Sequence, residues 1–255
     1  MSAARPLDGA RIVITRPQDR GESLCERINA AGGEAFHFPV IDIHAIENAR
    51  LPESKPDLMI FTSIAAVEHG LPLFDSALPD AKIAAIGNAT ASALRAAGIK
   101  PGLVPEREES EGLLALPAFN DIAGKKIWLV KGRGGRELLA NTLRDRGATV
   151  RLIEVYERRL PDRDISPLLE RWRTQRIDAI VVSSRAGLEN LHAMLDTEGR
   201  EYLRETQLVM PTPRMLKLAL EFDVEPASVI ANGASDDAQL AALEGWWRDR
   251  LQDSR

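Results

Sequence analysis

The same run of residues is written twice in this chain. GARIVITRPQDRGESLCERINAAGG, beginning at Gly9, lies without a gap over GKKIWLVKGRGGRELLANTLRDRGA, beginning at Gly124. Gly9, Ile12, Glu22, Leu24 and Gly32 recur in the second copy, and Arg16 meets Lys131. Further on, DLMIFTSIAAVEHGL from Asp57 lies over DAIVVSSRAGLENLH from Asp178 and sets Ser63 against Ser184. ESEGLLAL near Ser110 then echoes ASDDAQLAAL near Ser235. The offset grows from 115 (124 − 9) through 121 (184 − 63) to 125 (235 − 110), as loops of unequal length produce. Short strand-and-helix units can resemble one another by chance. Three pairs kept in one order favour duplication, and duplication means two similar domains.

The repeated unit has a fixed grammar. RIVIT, DLMIFTS, KIAAIG, KIWLVKG, DAIVVSS and QLVMP are short, apolar and β-rich, and helix-period segments such as ESLCERINAAGG and RELLANTLRDRG alternate with them. Strands that are apolar throughout, set between helices, indicate parallel sheets covered on both faces, the α/β class. FHFPVIDIHAI and VRLIEVYERRLP close the two matching units; both are extended and β-branched and read as a pair of linker strands. The first strand-and-helix unit then belongs with the last third of the chain. The expected domains are residues 1–38 with 161–255, and residues 39–160 with linker strands at both ends.

At 255 residues, 44% of them hydrophobic, the chain is long enough for two cores. A net charge of −5 argues against non-specific binding to nucleic acid or to an anionic membrane. One cysteine, Cys25, excludes internal disulfides and thiolate zinc clusters, and in the helical pattern ESLCERI it reads as a packed thiol. His37, His44, His69 and His192 lack ligand spacing, so no metal centre is expected. No apolar run approaches the roughly 18 residues of a membrane span, and MSAARPLDGA lacks the apolar core of a secretion signal. A cytoplasmic protein is the expectation. The terminal EGWWRDRLQDSR reads as a helix whose Trp246 and Trp247 pack back on the body. No exposed heptad or long edge strand calls for assembly, which makes a monomer the default.

In open α/β sheets ligands bind beyond the carboxyl ends of the strands. The residues there are Arg16 and Pro17; Thr62 and Ser63; Gly87, Asn88 and Thr90; Lys131, Gly132, Arg133 and Gly134; Ser183, Ser184 and Arg185; Thr212 and Arg214. They are hydroxyls, glycines, one amide and cations, with no carboxylate among them. Helix amino termini with such neighbours suit anions. The competing account is that Thr62, Ser63, Asn88 and Ser183 cap their own helices. KGRGGRE imitates a dinucleotide fingerprint, but Glu137 stands where the third small residue belongs. No phosphate loop and no Ser/His/Asp order is visible. A site of donors and positive charge without a nucleophile suits a reaction that its substrate nearly performs alone.

IVITRP with its following helix, HFPVIDI, IFTSIAAVE, AIGNATASAL, EVYERR and the late VVSS, in this order and spacing, resemble the uroporphyrinogen-III synthase family from about Arg11 to Leu243. The resemblance implies two flavodoxin-like parallel-sheet α/β domains joined by a two-stranded linker ladder. It implies a lyase, a cyclising hydro-lyase, that converts the linear tetrapyrrole hydroxymethylbilane into uroporphyrinogen III with inversion of ring D, without a cofactor. The partner is then a small polyacid, and neither nucleic acid nor membrane. Tyr156 matches the tyrosine suspected in the family of assisting departure of the hydroxyl; a phenol keeps its proton at neutral pH and can donate it. Ser63 and Thr90 match family site positions, and Ser183 or Ser184 matches the equivalent turn of the other domain. Arg16, Thr62, Gly87, Asn88, Lys131, Gly132 and Arg133 complete the expected substrate-binding set from the strand ends. In VMPTPRMLKLAL the chain departs from the glycine, proline and paired threonines of many relatives, and Thr212 is the surviving hydroxyl. The alternatives are a two-domain protein that binds a small anion without chemistry, and a nucleotide-dependent enzyme using KGRGGRE. The ordered motifs favour the cyclase.

Overall fold

LMIF at residues 58–61 and QLVM at 207–210 have almost no polar face to offer water, and both are buried along their whole length. That burial is met by sheets with helices on either side. The computed structural model describes residues 5–74, 78–107, 110–135, 137–224 and 228–253. Arg136 of KGRGGRE and the final Ser254 and Arg255 of the terminal helical run lie outside the described residues.

The chain opens with β1 (Arg11–Ile14), α1 (Gln18–Ala30) and β2 (Glu34–His37). A middle stretch follows: β3 (Asp42–Ala45), β4 (Leu58–Phe61), α2 (Ile64–Gly70), β5 (Lys82–Ala85), α3 (Asn88–Ala96), α4 (Ser110–Leu114), β6 (Lys126–Gly132), α5 (Leu138–Asp145) and β7 (Thr149–Arg159). The last third runs α6 (Ser166–Gln175), β8 (Ala179–Val181), α7 (Arg185–Met194), α8 (Thr197–Glu205), β9 (Gln207–Met210), α9 (Arg214–Glu221), β10 (Val229–Ile230) and α10 (Asp236–Asp253).

Two five-stranded sheets result, with orders β2-β1-β8-β9-β10 and β5-β4-β6-β7-β3. The first is parallel throughout, and β5, β4, β6 and β7 of the second are parallel. Renumbered within its own sheet, the first is the flavodoxin-like 2-1-3-4-5 order. The second repeats 2-1-3-4, and β3 takes the fifth place. Two compact units contain them, Met1–Asp42 with Arg159–Arg255, and Ile43–Arg158.

The two linker segments divide more finely than their composition suggests. In FHFPVIDIHAI the first residues belong to β2, the edge strand of the first sheet, whereas Asp42–Ala45 forms β3 of the second. Pro39, which has no N–H to give a ladder, lies between them. VRLIEVYERR is one strand, β7, whose first half is an ordinary parallel neighbour of β6. The pairing of the two segments is the contact of β3 with β7, continued where the Ile46 N–H donates to the Val155 carbonyl at 3.0 Å.

Alternation along each strand fills two faces. Met59, Phe61, Trp128, Val130, Ile153 and Val155 share one cluster with α2 and α3. Leu58, Ile60, Ile127 and Leu129 share another with α4 and α5. In the first sheet Ile12, Ile14, Val181 and Val209 pack on Leu24 and Ile28 of α1 and on Leu243 and Trp247 of α10. The terminal helix thus packs back as expected, and the Trp247 indole donates to the Asp8 carbonyl at 3.1 Å. Cys25 is half-buried on α1; burial, with Glu22 and Glu26 beside it, pushes its thiol up to about 11, the state of a packed thiol rather than a nucleophile.

Candidate active site

In a 2-1-3-4-5 sheet the crevice for ligands opens where the strand order reverses. In the Ile43–Arg158 unit that point lies between the carboxyl ends of β4 and β6, and it gathers Thr62, Ser63, Lys131 and Gly132. Tyr156 joins them from β7. The register of β6 against β7 slips after Lys131, so that Gly132 faces Tyr156, and such a bulge re-aims a side chain. The Tyr156 ring lies against Gly132 so closely that a Cβ there would meet the ring at 2.5 Å. The tyrosine is 3% exposed.

Its hydroxyl is 3.1 Å from the Ser63 Oγ, and the Arg158 Nη2 donates to it at 3.3 Å. The Arg158 guanidinium also stands 5.7 Å from the ring centroid, and the His69 ring centroid is 6.2 Å away. Ser63 holds two positions at once, because its Oγ accepts the Ala66 N–H at 3.0 Å and so caps α2. The capping account is realised in this residue, and the same Oγ also meets the Tyr156 hydroxyl.

The other strand ends of this unit divide by exposure. Thr62 is half-buried and its hydroxyl donates to the Val130 carbonyl at 3.2 Å. The Lys131 ammonium donates to the Gly134 carbonyl at 2.6 Å. Arg133 is exposed, donates to Glu157 at 2.5 Å and lies 3.7 Å from Glu154. At the end of β5, Gly87 precedes α3 in extended backbone, and no side chain caps the helix. Asn88 is exposed and Thr90 buried, so the first turn of α3 presents its amide outward and its hydroxyl inward.

In the other unit the reversal lies between β1 and β8. Arg16, expected as a rim cation, is 7% exposed and turned into the fold. Its Nε donates to the Ser183 Oγ at 2.9 Å, its Nη1 forms an ion pair with Asp236 at the start of α10, and its Nη2 donates to the Ala234 carbonyl. A buried guanidinium needs this company, since an unpaired charge there is costly. The fully buried Gln239 adds a bond from its Nε2 to the same Ser183 Oγ at 2.9 Å. Ser184 accepts the Gly187 N–H at 3.1 Å and caps α7, as Ser63 caps α2. Thr212 is exposed before α9, and its carbonyl accepts the Met215 N–H at 3.1 Å.

The structure therefore brings Ser63, Gly132 and Tyr156 together in one unit and Arg16 with Ser183 in the other. No carboxylate stands in the strand-end set itself, but the fold brings two beside its cations: Asp236 neutralises Arg16, and Glu157 engages Arg133. Arg158, Asp236 and Gln239 were passed over in the sequence. Arg158 stood in the quoted EVYERR, two positions from Tyr156; Asp236 and Gln239 stood in ASDDAQLAAL, but no spacing rule marks residues whose partners, Arg16 and Ser183, lie 220 and 56 positions away. Among the described residues no helix is long and apolar enough to cross a membrane, and no group of three or more His, Cys, Asp or Glu side chains could hold a metal ion.

A family model described as uroporphyrinogen-III synthase HemD matches residues 22–239 of the chain. The uroporphyrinogen-III synthase of Escherichia coli (strain K12) is 36% identical over 249 residues, covering 91% of this chain and 99% of the relative. That of Salmonella typhimurium is 34% identical over 247 residues, with the same coverage of each. Among solved structures, the uroporphyrinogen-III synthetase of Helicobacter pylori 26695 gives a TM-score of 0.63 at 17% identity, over 93% of this chain and 99% of that one. A mutant uroporphyrinogen III synthase from the thermophilic bacterium Thermus thermophilus gives 0.55 at 21% identity, over 96% and 100%. At those identities the structural likeness speaks for the fold.

Proposed function

The chain belongs to the uroporphyrinogen-III synthase family, and from that premise we propose that it closes hydroxymethylbilane into uroporphyrinogen III with ring D inverted. The reaction eliminates water and forms a ring, which makes it a hydro-lyase step of tetrapyrrole biosynthesis. Loss of the terminal hydroxyl leaves an electrophilic azafulvene. Attack through the already substituted carbon of ring D gives a spiro intermediate, which fragments and recloses. Free in solution the same molecule closes to the uninverted isomer, so the enzyme's work is to fold the chain and hold its ends together.

The observation that carries this reading is the Tyr156 hydroxyl 3.1 Å from Ser63 at the reversal point of its sheet. Tyr156 supplies the proton to the departing hydroxyl. Thr62, Lys131 and the α3 end at Gly87, Asn88 and Thr90 receive carboxylates of the substrate; Ser63 holds the Tyr156 hydroxyl, and Gly132 makes room for the tyrosine ring. In the other unit Ser183, Ser184 and Thr212 are further donors, with Arg16 orienting Ser183 rather than touching substrate, and Arg133 is a lesser contact because its charge is already engaged. Neutral donors hold eight carboxylates at lower desolvation cost than several buried charges. The two units are domains in their own right, and the protein works as a cytoplasmic monomer without cofactor.

The test is direct. Purified protein is mixed with hydroxymethylbilane in the absence of nucleotide and metal, and the porphyrinogens are resolved after oxidation. Isomer III in excess of isomer I is expected. Isomer I alone, at the spontaneous rate, rejects the proposal and leaves the chain as a binding protein.

A further inference from the structure

Resting on the assignment of Tyr156 as proton donor, we infer that Arg158 is a positioning residue for that reaction, acting through the phenol and not on the substrate. Its Nη2 is 3.3 Å from the Tyr156 hydroxyl and its guanidinium carbon 5.7 Å from the ring centroid. A guanidinium carries no acceptor, so this hydrogen bond runs one way only, onto the phenol oxygen. Ser63 is the other neighbour, at 3.1 Å, and its Oγ is already filled on one side by the Ala66 N–H at 3.0 Å. The arrangement that uses every group has Ser63 donating to the phenol oxygen as well. Tyr156 then accepts from two donors, and its own O–H is the one hydrogen left to point outward.

The step balances in those terms. The phenol O–H bond breaks and its proton passes to the oxygen of the terminal hydroxymethyl group. The carbon–oxygen bond breaks with its electron pair, and water leaves. The phenolate that remains faces Arg158 and the Ser63 hydroxyl, two donors fixed before the charge appears, which is the form of an oxyanion hole. When the attacking pyrrole regains aromaticity it releases one proton, which returns to the phenolate, so none is consumed. Gly132 is the third element of the device, since any side chain there would displace the ring.

Four proteins test it: the parent, Tyr156→Phe, Arg158→Gln and the double variant, each assayed for kcat and KM of isomer III formation, with Arg158→Lys as the conservative control. Arg158 is exposed, so its single variants are expected to keep the parent's melting temperature. Arg158→Gln is expected to lower kcat about tenfold or more, to leave KM within about twofold, and to be partly rescued by lysine. In the Tyr156→Phe background the same change should cost nothing further, because the group it serves is gone. Losses that multiply in the double variant, or a rise in KM with kcat untouched, would show that Arg158 grips a substrate carboxylate instead and would overturn the inference. Full kcat in Arg158→Gln, beside a slowed Tyr156→Phe, overturns it alone. Full turnover in Tyr156→Phe removes the tyrosine from the chemistry and takes both readings with it.

Discussion

Arg16 shows how one residue's neighbours decide its role. From position alone it is a cation at a strand end; in the fold it is a strut, 7% exposed, tied to Asp236, Ser183 and Ala234. The Ser183 Oγ accepts from two nitrogen donors, Arg16 Nε and Gln239 Nε2, and its own hydroxyl donates at 3.4 Å to the Gln239 Oε1. Removing the carboxylate should expose the cost of the buried charge. Asp236→Ala is expected to lower unfolding free energy by about 3 kcal/mol, the lower end for a broken buried pair, because Asp236 retains some exposure. The joint change Arg16→Met with Asp236→Leu should cost less than Asp236→Ala alone, since it leaves no orphan charge. Urea midpoints of the parent and the two variants decide it: a double variant as weak as Asp236→Ala or weaker would mean that the pair stabilises on its own account.

Among elements, the helix starts differ in a way that bears on function. Ser63 caps α2 and Ser184 caps α7 through matching bonds, while α3 begins after Gly87 with no side-chain cap. An uncapped amino terminus keeps its N–H groups and partial positive charge for something else. Asn88→Asp places a carboxylate at that end with little change in shape. It should stabilise α3 by about 0.3–1 kcal/mol and raise the melting temperature. The same charge should repel a substrate carboxylate and raise KM about two- to fivefold, the equivalent of 0.5–1 kcal/mol. A KM that stays put while the protein gains stability would remove α3 from the binding surface.

The elements themselves were largely legible. All six apolar runs became strands, since a segment without a polar side has nowhere to go but a covered sheet. The short β10 escaped notice because Val229 and Ile230 alone carry it in EPASVIANGA, and two residues make no period. The linker segments pair as expected through β3 and β7, but their exact bounds were not legible, because an edge strand and a linker strand share composition; only the ladder partners, β1 for β2 and β7 for β3, tell them apart. In the site, residue types were legible and directions were not. Ser63, Tyr156 and Ser183 stood out by motif, but whether a strand-end cation faces out or in depends on a carboxylate delivered from another segment, as Asp236 reaches Arg16.

At the scale of the molecule the two units are built from chain in unequal ways. Every strand of the second sheet falls within residues 42–158 but for Arg159, the last residue of β7, together with the helices that cover both its faces. That stretch of 117 residues (158 − 42 + 1) has the size and paired cores of an ordinary independent domain. The other unit is closed by two pieces, Met1–Asp42 and Arg159–Arg255, because β1 is a central strand that must pair β2 on one side and β8 on the other. Cutting between those pieces takes a middle strand from the sheet and Leu24 and Ile28 from its core. Residues 42–158 expressed alone should therefore melt in a single cooperative transition with helix and strand signals coincident, and keep Tyr156, Ser63 and Arg158 in place. Residues 159–255 alone should show no such transition and regain it when residues 1–42 are supplied through a short linker joining Asp42 to Arg159. A broad, non-coincident melt of the 42–158 fragment would show instead that its sheet needs the rest of the chain to hold, and that duplication produced two copies of a unit no longer able to stand apart.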